Sequence, residues 1–314
     1  METDRQRVEE ALLASVRTPD AYLTEIASHL ISAGGKRLRP VFTIVASQVG
    51  RDEPATDDAI MGGVSCELVH LGSLYHDDVM DESTTRRGVD TVNAKWGNLQ
   101  AILAGDFLLA KASEIAASLG TEVAALLART IGQLCEGQIE ELRHTYNIAR
   151  PVDSYLTSIY GKTASLYSTA ARIGGLVAGH DRSVVDSLTA YGAAYGMVFQ
   201  IVDDVLDLTA TDEQLGKPAG HDMEEGVYTL PVLHTLAAGG AAASELGSIL
   251  GRPLNDVERD KVLHIVRSNG GVATAIDRAR FYVDEAERAC DALPQGVTTD
   301  AMREATAALL ATVS

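Results

Sequence analysis

An all-α fold is predicted by three features of the sequence. Alanine and leucine are abundant, which favours helix over sheet. Apolar residues recur at helical spacing along most of the chain, and no Val/Ile/Thr-rich alternation of strand length stands out. No glycine fingerprint of a βαβ unit is present.

The elements follow in order. Residues 5–17 and 20–33 read as two amphipathic helices, the second ending at Gly34-Gly35. Pro40 falls near the start of a third helix, where its missing N–H costs little. After the polar segment 51–58, Asp57 or Asp58 is expected to cap a long helix running to about residue 81. Residues 82–90 form a polar loop, and helices are predicted at 93–118, 121–143, 152–178 and 182–209. Residues 210–226, with their glycines and charges, read as a mobile loop. Helices restart at Thr229-Leu230-Pro231 and continue at 254–268, 270–290 and 299–312. The Ala/Gly-rich stretch 236–250 is a connection or a short helix. No linker divides the chain, so residues 1–314 are expected to form a single domain of about ten or more helices.

Composition narrows the function. The net charge of -18 and the lack of a Lys/Arg tail argue against a nucleic-acid partner. The same bulk charge repels anionic ligands, so any phosphate site needs a local cationic patch or a metal ion. Cys66, Cys135 and Cys290 have neither metal-ligand spacing nor a disulfide pattern and are expected to be buried free thiols. The segment METDRQRVEEALL, polar and acidic, is not expected to act as a signal peptide, and no apolar run reaches membrane-spanning length, so a cytoplasmic location is expected.

The chemistry is concentrated in an acidic pentad that occurs twice. Asp77, Asp78 and Asp81 lie in LYHDDVMD, and Asp203, Asp204 and Asp207 lie in FQIVDDVLD. On a helix the first and last members of each pentad share a face. Like charges four residues apart destabilise a helix unless a cation compensates them. Mg²⁺ suits such a set, being a hard ion held by one or two carboxylates plus substrate phosphates. One cluster alone reads equally as a solvated helix end; two in matching apolar settings, on facing helices, would make a cage for metal and diphosphate. Basic groups complement them: Lys36, Arg37 and Arg39 in GGKRLRP, Arg86 and Arg87 before Gly88, Lys162 in YGKTASL and Lys217 in LGKPAGHD. Neither GGKR nor YGKT has the spacing of a nucleotide-binding P-loop, and neither follows a strand. A nucleophile elbow and an HExxH zinc motif are both missing.

Together GGKRLRP, HDDVMDESTTRRG, WGNLQAILAGDFLL, GKTA, FQIVDDVLD and GKPAGHD resemble the trans-isoprenyl diphosphate synthase family, over about Gly34 to Pro231. The double pentad with RRG is far more specific than any one motif, and the details are similar to actinobacterial members. The resemblance implies an isoprenoid-synthase-like helical bundle around a central cavity. It implies that Asp77, Asp81 and Asp203 hold Mg²⁺, three ions with bound diphosphate, with Asp78, Asp204 and Asp207 in support. Lys162, Lys217 and Arg86 then contact the allylic diphosphate, and Lys36, Arg39, His70 and Arg87 hold isopentenyl diphosphate. Thr163 and Gln200 line the cavity and stabilise developing allylic positive charge. A homodimer is implied, with transient membrane contact for release of a hydrophobic product.

Product length is implied to depend on the residues before Asp77. Gly72 and Ser73, with Val69 and Leu68 deeper, stand where an aromatic residue would close the floor of the product tunnel in many short-chain members. Small residues there imply a medium- or long-chain product of roughly thirty to fifty carbons. Close helix packing is the alternative reason for small residues, and Phe107 and Leu108 offer a deeper floor for a geranylgeranyl or shorter product. A terpene cyclase and the catalytic subunit of a heteromeric synthase are the remaining alternatives. In one place the sequence departs from the family pattern: Gly-Lys-x-Thr-Leu-Pro is replaced by Gly226-Val227-Tyr228-Thr229-Leu230-Pro231, which removes a cation. Val227→Lys is therefore expected to lower the KM for the allylic diphosphate; an unchanged KM in steady-state kinetics would remove this role for position 227.

Overall fold

A computed structural model describes residues 2–210 and 219–313. In it α1 (Glu2–Ser15), α2 (Ala21–Ser32), α3 (Leu38–Ser47) and α4 (Asp57–Met80) precede a two-residue hairpin, in which β1 (Thr85–Arg86) pairs antiparallel with β2 (Val89–Asp90). There follow α5 (Val92–Trp96), α6 (Asn98–Ser118), α7 (Thr121–Arg143), α8 (Val152–Ile159), a π-helical turn (Tyr160–Ala164), α9 (Ser165–Val177) and α10 (Arg182–Thr209). A turn of helix at His221–Glu224 leads to helices Leu230–Ala237, Gly240–Ile249, Asp256–Ser268, Gly271–Asp291 and Val297–Ala311. The fold is all-α, and the hairpin is the only sheet among the described residues.

Two compact units make up the chain. The first contains Met1–Ile131, Leu166–Thr189 and Leu293–Thr298; the second contains Gly132–Ser165, Ala190–Ala292 and Thr299–Ser314.

In the first unit α4 is the axis. Its buried residues surround the helix over 62–69 and narrow to one stripe, Leu71, Tyr75 and Asp78, towards its end. Val64, Cys66, Leu68, Val69, Leu71 and Tyr75 are fully buried, and each large aliphatic side chain among them contributes about 1.5–3 kcal/mol by leaving water. α3 and α6 pack along α4. Two glycines bring α6 close: a Cβ on Gly72 would stand 3.0 Å from the Gly105 carbonyl oxygen, and one on Gly105 would stand 2.3 Å from His76 Nε2. Tyr75 donates its hydroxyl to the Ile26 carbonyl at 2.8 Å, which fixes α4 against α2.

In the second unit the core gathers on α10. Met197, Ile201, Val205 and Leu208 recur every three or four residues and pack with Tyr155, Tyr228, Leu230, Leu233 and Val262. The turn at Gly226, where φ is 81°, is held from the side: Tyr146 donates its N–H to the Gly226 carbonyl at 2.8 Å and its hydroxyl to the Glu224 carbonyl at 3.1 Å.

Several sequence expectations are corrected in detail. Thr56, not Asp57 or Asp58, caps α4 with its hydroxyl, while the two aspartates sit in the first turn and favour the positive end of the helix dipole. The helix expected over 93–118 is broken at Gly97, whose φ of 96° suits glycine alone. Residues 82–90 contain the hairpin. The segment 219–226 of the expected loop is ordered by a helical turn and by Tyr146, while residues 211–218 lie outside the described residues. Residues 240–249 form a helix. Cys66 and Cys290 are buried, but Cys135 is exposed.

Candidate active site

Each acidic pentad is divided by the helix that carries it. On α4, Asp78 follows Leu71 and Tyr75 along the buried stripe and is fully buried, whereas Asp77 is half-buried and Asp81 exposed. On α10, Asp204 follows Ile201 on the core-facing stripe; it and Asp207 are buried, whereas Asp203 is exposed. The accessible members, Asp77, Asp81 and Asp203, are the three expected to hold metal. Among the described residues no three His, Cys, Asp or Glu side chains gather into a ready-made cation site. Each of the three aspartates nevertheless offers hard carboxylate oxygens, the donor type that magnesium takes beside the oxygens of a bound phosphate group.

The buried members are tied by hydrogen bonds. Arg86, on the hairpin, donates Nε to Asp78 Oδ1 at 2.6 Å. Asp78 Oδ2 is buried and has no hydrogen-bond partner. Burial raises the Asp78 pKa above the ordinary carboxylate value despite the opposing charge of Arg86. In the second unit, Tyr155 donates its buried hydroxyl to Asp204 Oδ2, and Gln200 Nε2 donates to Asp204 Oδ1 at 2.8 Å. Gln200 Oε1 accepts from Thr163 Oγ1 at 2.8 Å. A continuous chain of hydrogen bonds thus links Thr163, Gln200, Asp204 and Tyr155. Burial, followed by the charge of Asp222, lifts Asp204 well above the usual carboxylate range. Burial and the neighbouring Asp204 push the Tyr155 phenol well above its usual value.

Lys162 and Thr163 occupy the π-helical turn between α8 and α9. Such turns widen a helix locally and re-aim the side chains on it. The turn touches α7 through a glycine pair: a Cβ on Gly137 would lie 2.7 Å from Lys162 N, and one on Gly161 2.7 Å from Gln133 O. Lys162 Nζ forms an ion pair with Glu141 of α7.

The basic cluster belongs to the first unit. His70 is half-buried. Burial, then the charges of Arg39, Arg87, Arg86 and Arg37, hold its pKa well below the usual imidazole value. Arg87 donates Nη1 to the carbonyls of Leu30, at 3.1 Å, and Gly34. The Arg39 guanidinium stacks 4.8 Å above the Tyr167 ring, and Lys36 is exposed. The structure therefore brings Arg39 and Arg87 within electrostatic reach of His70. Arg37 departs from the others: it is 2 % exposed and turned inward. Lys217 lies outside the described residues.

Position 72 is occupied by helix packing. Gly72 is buried against Gly105 and Leu109, Val69 is fully buried, and Ser73 is half-buried with its hydroxyl on the His70 carbonyl at 2.9 Å. The packing explanation for a small residue thus holds at Gly72, where a larger side chain would force α4 and α6 apart.

Sequence reasoning missed Tyr155, Glu141 and Glu67. Glu67 carries a signal, a lone acid within the apolar run VSCELVHL, since such residues are almost never buried unpaired. Tyr155 and Glu141 carry none, because their partners are 49 and 21 residues away.

Comparisons with known proteins agree with this architecture. The model of the family "Polyprenyl synthetase" matches residues 20–266. The nonaprenyl diphosphate synthase of Mycobacterium tuberculosis is 39 % identical over 289 residues, covering 92 % of this chain and 86 % of the relative. The heptaprenyl diphosphate synthase structure from Staphylococcus aureus superposes with a TM-score of 0.93 at 32 % identity, covering 100 % of this chain and 98 % of that one. The geranylgeranyl pyrophosphate synthase of Corynebacterium glutamicum, solved with calcium and isoprenyl diphosphate, gives a TM-score of 0.89 at 38 % identity, covering 100 % and 96 %. The chain belongs to the polyprenyl synthetase family. It is a trans-prenyltransferase of the polyprenyl diphosphate synthase type.

The hydrogen-bond chain yields one expectation. Tyr155→Phe leaves one oxygen of a buried carboxylate without its donor, which costs about 1–3 kcal/mol. A lowered Tm and a reduced kcat are expected, with more Mg²⁺ needed for half-maximal rate. Wild-type values for all three would remove Tyr155 from the support of the second pentad.

Proposed function

We propose that the enzyme joins isopentenyl diphosphate head-to-tail to an allylic diphosphate in a Mg²⁺-dependent reaction. The product is an all-trans polyprenyl diphosphate of roughly thirty to fifty carbons. The observation that carries this reading is the division of both pentads into accessible and buried aspartates in a polyprenyl synthetase chain. Asp77, Asp81 and Asp203 present oxygens for magnesium, and Asp78, Asp204 and Asp207 fix the helix ends that present them. Three ions are the proposed complement. When bound with the diphosphate, they supply positive charge to the leaving oxygens.

The residues of the chain then have distinct tasks. Arg86, Lys162 and Lys217 bind the allylic diphosphate, and Lys162 exchanges Glu141 for phosphate oxygen. Lys36, Arg39, Arg87 and the uncharged His70 hold isopentenyl diphosphate. The allylic C–O bond breaks with its electron pair passing to the departing diphosphate. The isopentenyl double bond attacks the allylic carbon, a C–C bond forms, and the proton lost from the new chain goes to diphosphate. Thr163 and Gln200, each held by a hydrogen bond, direct oxygen dipoles at the positive charge on the allylic carbon. No carboxylate acts as general base in this scheme.

The long product is supported by the nonaprenyl and heptaprenyl relatives and by the small Ser73. The geranylgeranyl relative at 38 % identity favours a twenty-carbon product as the second reading. A homodimer, a cytoplasmic location, a single working domain and transient membrane contact complete the proposal. No described helix is long and apolar enough to cross a membrane.

Mass spectrometry of products tests the reading. The purified chain is given Mg²⁺, isopentenyl diphosphate and, in separate reactions, dimethylallyl, geranyl, farnesyl or geranylgeranyl diphosphate. A ladder ending beyond about twenty-five carbons is expected, with Ser73→Phe shortening it. A wild-type stop at fifteen or twenty carbons would overturn the long-chain assignment. A ladder unchanged by Ser73→Phe would move the floor of the tunnel elsewhere.

A further inference from the structure

Arg37 occupies the centre of GGKRLRP, between two residues assigned to isopentenyl diphosphate, yet its side chain is buried. Nε and Nη2 donate to the two oxygens of Glu9 at 2.7 and 3.0 Å. Nη1 donates to Glu67 at 3.2 Å, and Nη2 also reaches the Ile31 carbonyl at 2.8 Å. Three elements therefore grip one guanidinium: α1 through Glu9, the end of α2 through Ile31, and α4 through Glu67. The Arg37 backbone is left-handed, with φ 52° and ψ 41°. A bulky residue adopts that conformation only where its surroundings enforce it, and such strain collects at ligand-binding sites.

Glu67 is the stronger clue. It is 1 % exposed and lies one turn before His70 on α4. Its second oxygen makes no hydrogen bond. Its charge also acts on Arg87 and thus offsets repulsion among the guanidinium groups around His70. A buried ion pair is a poor source of stability, because removing both charges from water is expensive. Its better-attested use is to select one conformation, here the turn that separates Lys36 and Arg39 from an inward Arg37.

We propose that Glu67 and Arg37 are positioning residues for isopentenyl diphosphate. The Glu67–Arg37–Glu9 bridge locks the left-handed turn, and the turn sets Lys36 and Arg39 at the diphosphate. This rests on the assignment of Lys36 and Arg39 to that substrate. Neither Glu67 nor Arg37 touches a reacting atom.

The test compares full-length wild type with Glu67→Gln, Glu9→Gln and Arg39→Ala. KM for each substrate, kcat and Tm are measured well below the melting transition. Glu67→Gln is expected to raise the isopentenyl diphosphate KM about tenfold, with the allylic KM within about twofold of wild type. Glu9 is partly exposed, so Glu9→Gln keeps the test available if the buried variant does not fold; a rise of about threefold in the same KM is expected. A merely structural bridge would lower Tm or the active fraction without separating the two KM values, and that result overturns the proposal. If Arg39→Ala raises the isopentenyl diphosphate KM while both glutamate variants leave it unchanged, positioning falls and the substrate assignment stands. If Arg39→Ala leaves it unchanged, the assignment fails and takes the proposal with it.

Discussion

Asp78 in the first unit and Asp204 in the second are buried carboxylates, and the hydrogen bonding around each is organised to keep it so. An ionised carboxylate taken from water without partners costs several kcal/mol. Each is therefore answered by a donor fixed in the fold: Arg86 on the hairpin for Asp78, Tyr155 on α8 with Gln200 on α10 for Asp204. Those bonds settle the rotation of α4 and α10 at their acidic ends. With that rotation Asp77 is half-buried, and Asp81 and Asp203 are exposed. In the proposed reaction, metal binding by the accessible aspartates depends on the buried ones.

The same division runs through the basic residues. A chain of net charge -18 attracts a diphosphate only where positive charge is concentrated. Arg39, Arg86 and Arg87 provide that concentration around His70. Crowded guanidinium groups repel one another; the charge of Glu67 offsets this at Arg87, and Glu67 and Glu9 both pair with the inward Arg37. Burial and the guanidinium charges hold the His70 pKa well below the usual imidazole value, so the ring adds no further repulsion. The glycines at the α4–α6 and α7–π-turn contacts let backbones approach closely enough for short side chains to meet.

Much of this was legible in the sequence. Helical periodicity located nearly every helix, because an amphipathic or wholly apolar pattern reflects burial directly. The doubled pentad and GGKRLRP mark the candidate site in the sequence, because clustered like charge is costly without a ligand. The buried stripe through Leu71, Tyr75 and Asp78 was also readable in principle, since it follows helical spacing. Other features were not. The break at Gly97 depends on a backbone angle that glycine permits but does not announce. Tyr155 and Glu141 find their partners only after folding. The inward turn of Arg37 needed Glu9, from a different helix, and the small size of Gly72 had a packing cause that composition does not separate from a tunnel floor.

On the proposed function, Asp77, Asp81 and Asp203 hold magnesium only together with diphosphate. Isothermal titration calorimetry with Mg²⁺, in the absence and presence of inorganic diphosphate, tests it most directly. Saturable Mg²⁺ binding is predicted only with diphosphate present, and Asp203→Ala is predicted to abolish most of it. Tight Mg²⁺ binding to the protein alone, or a wild-type titration from Asp203→Ala, would contradict the claim.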